Sequence, residues 1–596
     1  MQALPLDFKK LRAGYWLGAA LLLLFAAVLA GVLHPMGIHR VHLPPSVGQL
    51  PLDAAWSLER MVSAYILSLV FAISVGIYAA RNMRARKIIL PILDILQSIP
   101  IVTFFPAALA VAVRLFGGGR LGFEIGAIIL IFTGMAWNMA FSVYESLIMV
   151  PRETIECAES FGIRGAQRLF TVTLPVCVPG LLYNSIVSWA AGWFALTACE
   201  ILSVNNQNVT LPGIGSFLQQ AANSQTHPLE LNLCGVAVLL VIILLMEAFI
   251  WRPLAVWSER FRFEVAVSSI TRGNTGILGW YQYGWLPRTF VNRIILPLNK
   301  GVNLLIRYTR GSAQKLVLPR IEVPTLVIRL WSNIQRFAGW LLLIAIAGAG
   351  GFYAIHIFHN HLLPPLAKKI PEYIGFSFLR ILTAYTLSML WVVPAVLWAR
   401  TRPRIFRLLS SISQTMASMP PIALTFIVVS IFVEHLKLGY WGVEAAGMVL
   451  LMNGVQWYVL FNMLGGIAKI PGDLTEACGA MGLSRRQQWR HLVIPAILPS
   501  LFTGTITAFG GGWNTLIFSE FITYAGKIYR LHGIGWLLNV ASGAALPPSG
   551  TPLPVPQAQA LLFIGVAGLI VLIVTLNRLL WKPLQAWSAD RFRLDY

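Results

Sequence analysis

The chain has 596 residues, 57% of them hydrophobic and only 11% charged, with a mean hydropathy of +0.71. No soluble domain of this size needs so much apolar surface, so composition places it among polytopic membrane proteins. A net charge of +22 would fit a nucleic-acid binder, but the basic residues sit in short segments between apolar runs, and that placement excludes nucleic acid.

The first apolar run, "YWLGAALLLLFAAVLAGVL" (15–33), follows Lys9, Lys10 and Arg12, as the core of a signal peptide would. Its length and the similar run at 340–358 favour a retained span. In chain order the apolar segments predict spans at about 14–33, 57–80, 88–113, 123–149, 176–203 and 231–250. A second set follows at 339–357, 377–399, 408–433, 443–466, 496–523 and 557–577. The expected fold is therefore all-α, with about 12 transmembrane helices. Three parts are expected: a first transmembrane domain (1–262), an Arg-rich linker (263–336) and a second transmembrane domain (337–596). Apolar patches in the linker are too short to span, so it either lies on the cytoplasmic membrane surface or is simply solvated.

The two sets are copies. At a fixed offset of 320, with no gap from Ser57 to about Leu218, the chain matches itself at Ser57/Ser377, Arg60/Arg380, Pro100/Pro420, Trp137/Trp457, Pro151/Pro471, Glu156/Glu476, Gly162/Gly482, Trp193/Trp513 and Glu200/Glu520. Farther on the offset becomes 330, aligning "WRPLAVWS" (251–258) with "WKPLQAWS" (581–588). Six spans per copy make the two halves run parallel. With both termini cytoplasmic, most of the 45 Lys and Arg fall on the inner side, including Arg81/Arg84/Arg86/Lys87 and Arg400/Arg402/Arg404/Arg407.

Between spans four and five each half carries a short polar stretch, "ECAESFG" (156–162) and "EACGAMG" (476–482). Pro151 and Pro471 close the preceding span, and Gly162 and Gly482 stop a short helix. The small residues beside each glutamate, Cys157 and Ala158, Ala477 and Cys478, leave a thin face that another protein can approach. The competing reading of the glutamate is a capping box in "DLTE" (473–476), with Asp473 as N-cap.

These stretches resemble the E-A-A…G loop of inner-membrane permeases of ATP-binding-cassette importers, over essentially the whole of both halves. "SLER" (57–60), "SFLR" (377–380), "SIPIVTFFP" (98–106), "SMPPIALTF" (418–426), "GWFALTACE" (192–200), "GGWNTLIFSE" (511–520) and "GIGSFL" (213–218) look like the nitrate/sulfonate/taurine group. The departures are Cys157 and Cys478 where alanines belong, and the fusion of two permease domains in one chain. The resemblance implies the type I importer permease fold in a bacterial inner membrane. It implies two coupling helices (Glu156, Cys157, Ala158, Gly162; Glu476, Ala477, Cys478, Gly482) docking two ATPase subunits, which use ATP and Mg. It also implies a periplasmic or lipid-anchored substrate-binding protein and a small anionic solute such as nitrate, sulfonate, taurine or bicarbonate. The chain has no GxxxxGK[ST] loop, so ATP hydrolysis and all cofactors are expected to belong to the partners.

Polar residues inside spans are the pathway candidates. Gln97, Ser98, Gln414 and Ser418 flank the prolines of span three, while Asn138, Trp193, Thr197, Trp513, Asn514 and Thr515 lie on spans four and five. Taken singly, each also suits helix–helix packing. Asp94 and Glu247, near inner ends, are expected to snorkel. Arg60 and Arg380 lie just after Ser57 and Ser377, the expected N-caps of span two, at the depth of Glu200 and Glu520 on span five. Two outer-gate ion pairs, Arg60–Glu200 and Arg380–Glu520, are one reading; independent snorkelling is the other.

Twelve spans in parallel halves also fit a secondary transporter, but its usual midplane ionisable relay is not evident. An embedded enzyme would cluster His or carboxylates, whereas His34, His39, His42, His356, His359 and His361 sit in outer loops without metal-site spacing. The five cysteines are scattered and read as buried structural thiols.

Overall fold

The computed structural model describes residues 48–261 and 348–592, apart from 99, 102–111, 113–114, 118–119, 151, 164–167, 206–210, 225–227, 259–260, 262–347 as a block, 349, 361, 469, 471, 525–526, 543–546 and 548–551. The expected first span (14–33) and the linker (263–336) lie outside the described residues. Contacts divide the described chain into two units. The smaller draws on 146–183 and 244–261, the larger on 48–145, 184–243 and 348–592.

The first half contains α1 (Leu50–Arg81), α2 (Met83–Ser98), α3 (Arg120–Ile148), α4 (Arg152–Ser160), α5 (Leu174–Asn205), α6 (Ile214–Ala222) and α7 (Pro228–Met246). The second contains α8 (Ile370–Thr401), α9 (Pro403–Ser418), α10 (Pro421–Val429), α11 (Gly439–Ala468), α12 (Gly472–Ala480) and α13 (Ile494–Ser519). It ends with a hairpin of β1 (Phe521–Tyr524) and β2 (Lys527–Arg530), then α14 (Ile534–Ala541), α15 (Val555–Leu576) and α16 (Lys582–Arg591). The bounds of α1 and α8, of α2 and α9, and of α4 and α12 coincide at the offset of 320, so the sequence duplication is a duplication of structure. Eight described helices are long and apolar enough to cross a membrane, and one bent pair makes a ninth. This is an all-α polytopic fold.

Local chemistry sets the joints. Asn82 leaves the helical region at the end of α1, and its Oδ1 accepts the backbone N–H of Arg84 and of Ala85, capping α2. The second half makes the same turn with Arg402 extended and Pro403 opening α9. Each π-helical turn at 169–173, 489–493, 247–251 and 577–581 sits just before a proline: Pro175, Pro495, Pro253 and Pro583. Proline lacks an N–H and pushes on the carbonyl four residues back, which widens the preceding turn.

Three expectations about spans are corrected. Ser57 and Ser377 are not N-caps, because α1 and α8 begin seven residues earlier, at Leu50 and Ile370, and both serines are fully buried. The span expected at 408–433 is broken: α9 and the segment from Pro421 to His435 meet at 88°. Met419 and Pro420 are both extended there, since a residue preceding proline is driven out of the helical region. The span expected to reach 523 stops at Ser519, and Phe521–Tyr524 pairs antiparallel with Lys527–Arg530 (Phe521 opposite Arg530, Tyr524 opposite Lys527). Aromatic and β-branched residues dominate that stretch and favour a strand.

The core of the second half joins Val392 and Val396 of α8, Val455 and Val459 of α11, and Ile497 and Ala508 of α13. Helices α11 and α13 touch through glycines. A Cβ on Gly511 would strike the Gly454 carbonyl, and one on Gly454 would strike Thr515. Small residues allow this close approach, the usual basis of helix association where lipid supplies no hydrophobic drive. Gly511→Val is therefore expected to destabilise the protein by about 1–3 kcal/mol, measured as a lowered thermal midpoint in detergent. Gly465→Ala, with nothing within 4 Å of its Cβ, is the matched control and should leave the midpoint unchanged.

Candidate functional site

Three regions carry the chemistry: the short helices α4 and α12, a buried ionic network in each half, and a cavity in the larger unit.

Helix α4 ends in a Schellman turn. Gly162 adopts φ 74°, its N–H donates to Glu159 O, and the N–H of Ile163 donates to Ala158 O. Helix α12 ends identically: Gly482 has φ 66°, its N–H donates to Gly479 O, and Leu483 N–H donates to Cys478 O. Glu156, Cys157, Glu476 and Ala477 are exposed, whereas Ala158 is buried and Cys478 half-buried, so only part of the small-residue pair faces outward. Each turn also displays a large apolar side chain, Phe161 (79% exposed) and Met481 (76%). The competing capping-box reading of "DLTE" fails, because α12 already includes Gly472 and Asp473 lies inside its first turn rather than at an N-cap. A box forms instead at Ser484 and Gln487: Ser484 N–H donates to Gln487 Oε1 (2.9 Å), and Gln487 N–H reaches Ser484 Oγ (3.4 Å). Arg168 pairs with Glu159 after α4.

The second region places four predicted charges in two identical nests. Arg60 Nη1 donates to Glu200 Oε1 (2.8 Å) and to Pro212 O (2.7 Å). Its Nε and Nη2 grip Glu124 at 2.5 and 2.8 Å. Ser57 Oγ donates to Glu200 Oε1 (2.8 Å) and accepts Ile214 N–H, while Gly215 N–H donates to Glu200 Oε2 (2.7 Å). In the second half Arg380 bonds Glu520, His532 O and Glu444; Ser377 bonds Glu520 and accepts Ile534 N–H; and Gly535 N–H donates to Glu520. Arg60, Glu200 and Glu520 are fully buried, so these charges do not snorkel to water. Each inner carboxylate sits on the first N–H groups of α6 or α14, where the helix dipole favours an anion. Gly213 and Gly533 precede those helices because a Cβ there would fall on the carboxylate.

Sequence reasoning missed Glu124 and Glu444, although they recur at the same offset. It also missed the serine hydroxyls and the glycine amides as ligands. A further tie joins α1 to α5, Tyr65 O–H to Ser185 (3.0 Å), matched between α8 and α13 by Tyr385 and Thr505 (2.8 Å).

The third region is a cavity of about 480 Å³. Gln97, Asn138, Trp513 and Asn514 line it, together with Trp137, Tyr458, Thr503 and Thr507. Gln97 Nε2 donates to Asn138 Oδ1 (2.6 Å), and Asn514 Oδ1 accepts the N–H of Ile101, beside the Pro100 break (2.7 Å). Thr515 lines a smaller void of about 40 Å³. Other expected pathway residues do not join them. Trp193 and Thr197 are buried, with the threonine hydroxyl turned onto Trp193 O (2.6 Å). Ser418 turns its hydroxyl onto Gln414 O (3.1 Å), and neither residue lines either cavity; the side chain of Ser98 lies outside the described residues. Asp94 and Glu247 are paired, with Lys582 and with Arg252 respectively, where burial had been expected to be avoided by snorkelling. At the end of the bundle near the ionic nests, Gln219 Nε2 donates to Thr523 Oγ1 (3.0 Å), and the Phe194 and Phe518 rings meet edge-on at 5.8 Å. No group of His, Cys, Asp and Glu suited to a metal ion occurs among the described residues.

Comparison with known proteins adds a family. The profile described as "Binding-protein-dependent transport system inner membrane component" matches twice, at 72–251 and 392–580. The taurine transport system permease protein TauC of Escherichia coli (strain K12) is 28% identical over 193 residues, 32% of this chain and 64% of TauC. The chain thus covers just under two thirds of that relative. The glycine betaine transport system permease protein OpuAB of Bacillus subtilis (strain 168) is 27% identical over 227 residues, 37% of this chain and 67% of OpuAB. The glycine betaine/proline betaine permease protein ProW of Escherichia coli (strain K12) is 32% identical over 133 residues, 22% of this chain and 35% of ProW.

The nests yield a graded expectation. Arg60→Met leaves the buried Glu200 carboxylate and the half-buried Glu124 carboxylate without their cation and should cost about 3–5 kcal/mol. Glu124→Gln, at a carboxylate 17% exposed, should cost less. Arg380→Met should fall between, since Arg380 keeps 10% exposure. Thermal midpoints in detergent give the order. Exchanging the charges, as Arg60→Glu with Glu200→Arg, should not restore stability, because an arginine at 200 cannot accept the Ser57 and Gly215 hydrogens.

Proposed function

Because the chain belongs to the family of binding-protein-dependent transport system inner membrane components, we propose that it is the channel-forming subunit of an ATP-driven importer, with two permease domains in one chain. The observation that carries this reading is the pair of exposed short helices, α4 and α12. They end in the same left-handed glycine turn, 320 residues apart, and each offers an exposed glutamate and a bulky apolar residue. In this reading each docks one ATP-binding-cassette subunit. Those partners bind ATP and Mg, and their closure drives alternating access. Both termini and both short helices face the cytoplasm of a bacterial inner membrane, as the basic loops favour. A periplasmic or lipid-anchored binding protein delivers the solute to the opposite face.

The 480 Å³ cavity is then the solute pathway in an inward-facing state. Its lining reaches Asp94, Lys582 and Gln585 near the basic end, while the Gln219–Thr523 and Phe194–Phe518 contacts close the other end. The expected cargo is a small anionic solute such as nitrate, sulfonate, taurine or bicarbonate. The alternative of a secondary transporter lacks support from the buried acids. Glu200 and Glu520 are held by arginine, serine and backbone N–H groups and line neither cavity.

Glu156→Lys combined with Glu476→Lys should abolish ATP-driven uptake and reduce ATPase co-purification by about tenfold or more, with membrane insertion unchanged. One reversal alone should give a partial, unequal defect, since Arg168 pairs near the first helix and the Ser484–Gln487 box follows the second. Full uptake with normal co-purification in the double variant would refute the assignment.

A further inference from the structure

The two halves agree residue for residue in the ionic nests and disagree around the cavity. Ser57, Arg60, Glu124, Glu200, Gly213 and Gly215 have identical counterparts at 377, 380, 444, 520, 533 and 535. By contrast, Gln97 corresponds to Ala417, Asn138 to Tyr458 and Asn514 to Phe194. The same holds for Asp94 against Gln414, and for Glu145 against Gly465.

This divergence has a chemical direction. A carboxamide carries two N–H hydrogens and one acceptor oxygen. Gln97 spends one hydrogen on Asn138, Asn514 spends one on Gly510 O, and Asn138 spends only its oxygen. All three thus keep N–H groups unused, and all three line the same cavity. Their repeat counterparts offer a methyl group, a phenol and a phenyl ring. A solute oxygen therefore finds three amide donors in the cavity wall, where the repeat-related positions offer a single phenol O–H and no amide.

The charges of the lining narrow the solute further. Asp94, Glu145 and Lys582 are its ionisable members apart from Tyr458, giving an excess of one negative charge, and Lys582 is already paired with Asp94. Such a wall disfavours a bare anion. The partly exposed indole of Trp137 lines the cavity and can attract an ammonium. Resting on the permease reading above, we propose that the duplicated chain holds one solute site, built from Gln97, Asn138 and Asn514 and not repeated at the positions that the duplication relates to them. The site takes a small zwitterion whose sulfonate or carboxylate meets the amides and whose ammonium meets Trp137 and the acids.

The experiment uses the full chain purified with its co-purifying ATPase subunits, and reads binding of taurine and of glycine betaine by calorimetry. Ethanesulfonate, which keeps the anionic head and lacks the ammonium, is the charge control. At least one zwitterion should bind, and ethanesulfonate should bind about tenfold more weakly. Converting each site residue to its counterpart, Asn138→Tyr, Asn514→Phe or Gln97→Ala, should weaken binding by about tenfold. The reciprocal change Ala417→Gln, at a residue that does not line the cavity, should leave it unchanged. Thermal midpoints exclude misfolded variants, and Gln97→Ala, at a residue exposed to the cavity, keeps the test valid if a larger replacement fails to fold. Equal losses from both sets, equal affinity for ethanesulfonate, or no response to either zwitterion would each overturn the proposal. Failure of the permease reading shows separately, as absence of co-purifying ATPase.

Discussion

A guanidinium buried between two carboxylates is the constraint on which the rest of each half depends. Neither charge type is tolerated in a low-dielectric interior unless its partners and hydrogen bonds are complete. Completing Arg60 takes Glu124 from α3, Glu200 from α5 and a carbonyl ahead of α6, and completing Glu200 takes Ser57 and the Gly215 amide of α6. Four helices are thereby fixed at one point. The identical set around Arg380 fixes α8, α11, α13 and α14, so each half has a joint where its long helices cannot slide independently.

That constraint explains which positions the duplication left alone. Any change in a nest strands a buried charge, so all six side chains and glycines coincide in the two halves. A cavity wall carries no comparable penalty, because water or solute satisfies whichever polar group is present. Gln97, Asn138 and Asn514 were free to become unlike their counterparts, and the contrast between invariant frame and variable wall separates structural polarity from pathway polarity. Trp193 and Thr197 illustrate the difficulty of doing so from one copy alone: both are polar-capable residues on span five, and both are packed away.

The repeat made most of the architecture legible. A match with no gap over more than a hundred residues demands equal elements, and the bounds of α1 and α8 or of α4 and α12 obey it. The Arg60–Glu200 contact was legible for the same reason, through equal depth on two spans. Glu124 and Glu444 escaped notice because each sits near the start of its helix, where an acidic residue reads as a solvated end. Ser57 was taken for a helix start because "PLDAAW" ahead of it is weakly apolar, yet Pro51 and Asp53 are ordinary first-turn residues, and α1 runs back to Leu50. The sheet register of β1 and the break at Met419 were hidden by hydropathy, which does not distinguish a buried strand from a helix or detect a bend within a span.

The second half also shows how an exposed turn can be connected to the buried frame. From Gly482 the chain passes the Ser484–Gln487 cap and the π-turn at 489–493, then enters α13 at Ile494. At 1.5 Å per residue the 26 residues of α13 extend for about 39 Å, and Glu520 caps its far end. One helix therefore has the exposed Gly482 turn a short way before its start and the Arg380 nest at its finish, with Thr503, Thr507, Trp513 and Asn514 lining the cavity between. The nest prevents α13 from shifting without α8 and α11, so a displacement applied at the turn moves the cavity wall together with the joint. The polar wall and the ionic joint share α13, and the short turn reaches its start through the cap and the π-turn, so a continuous stretch of chain links the three.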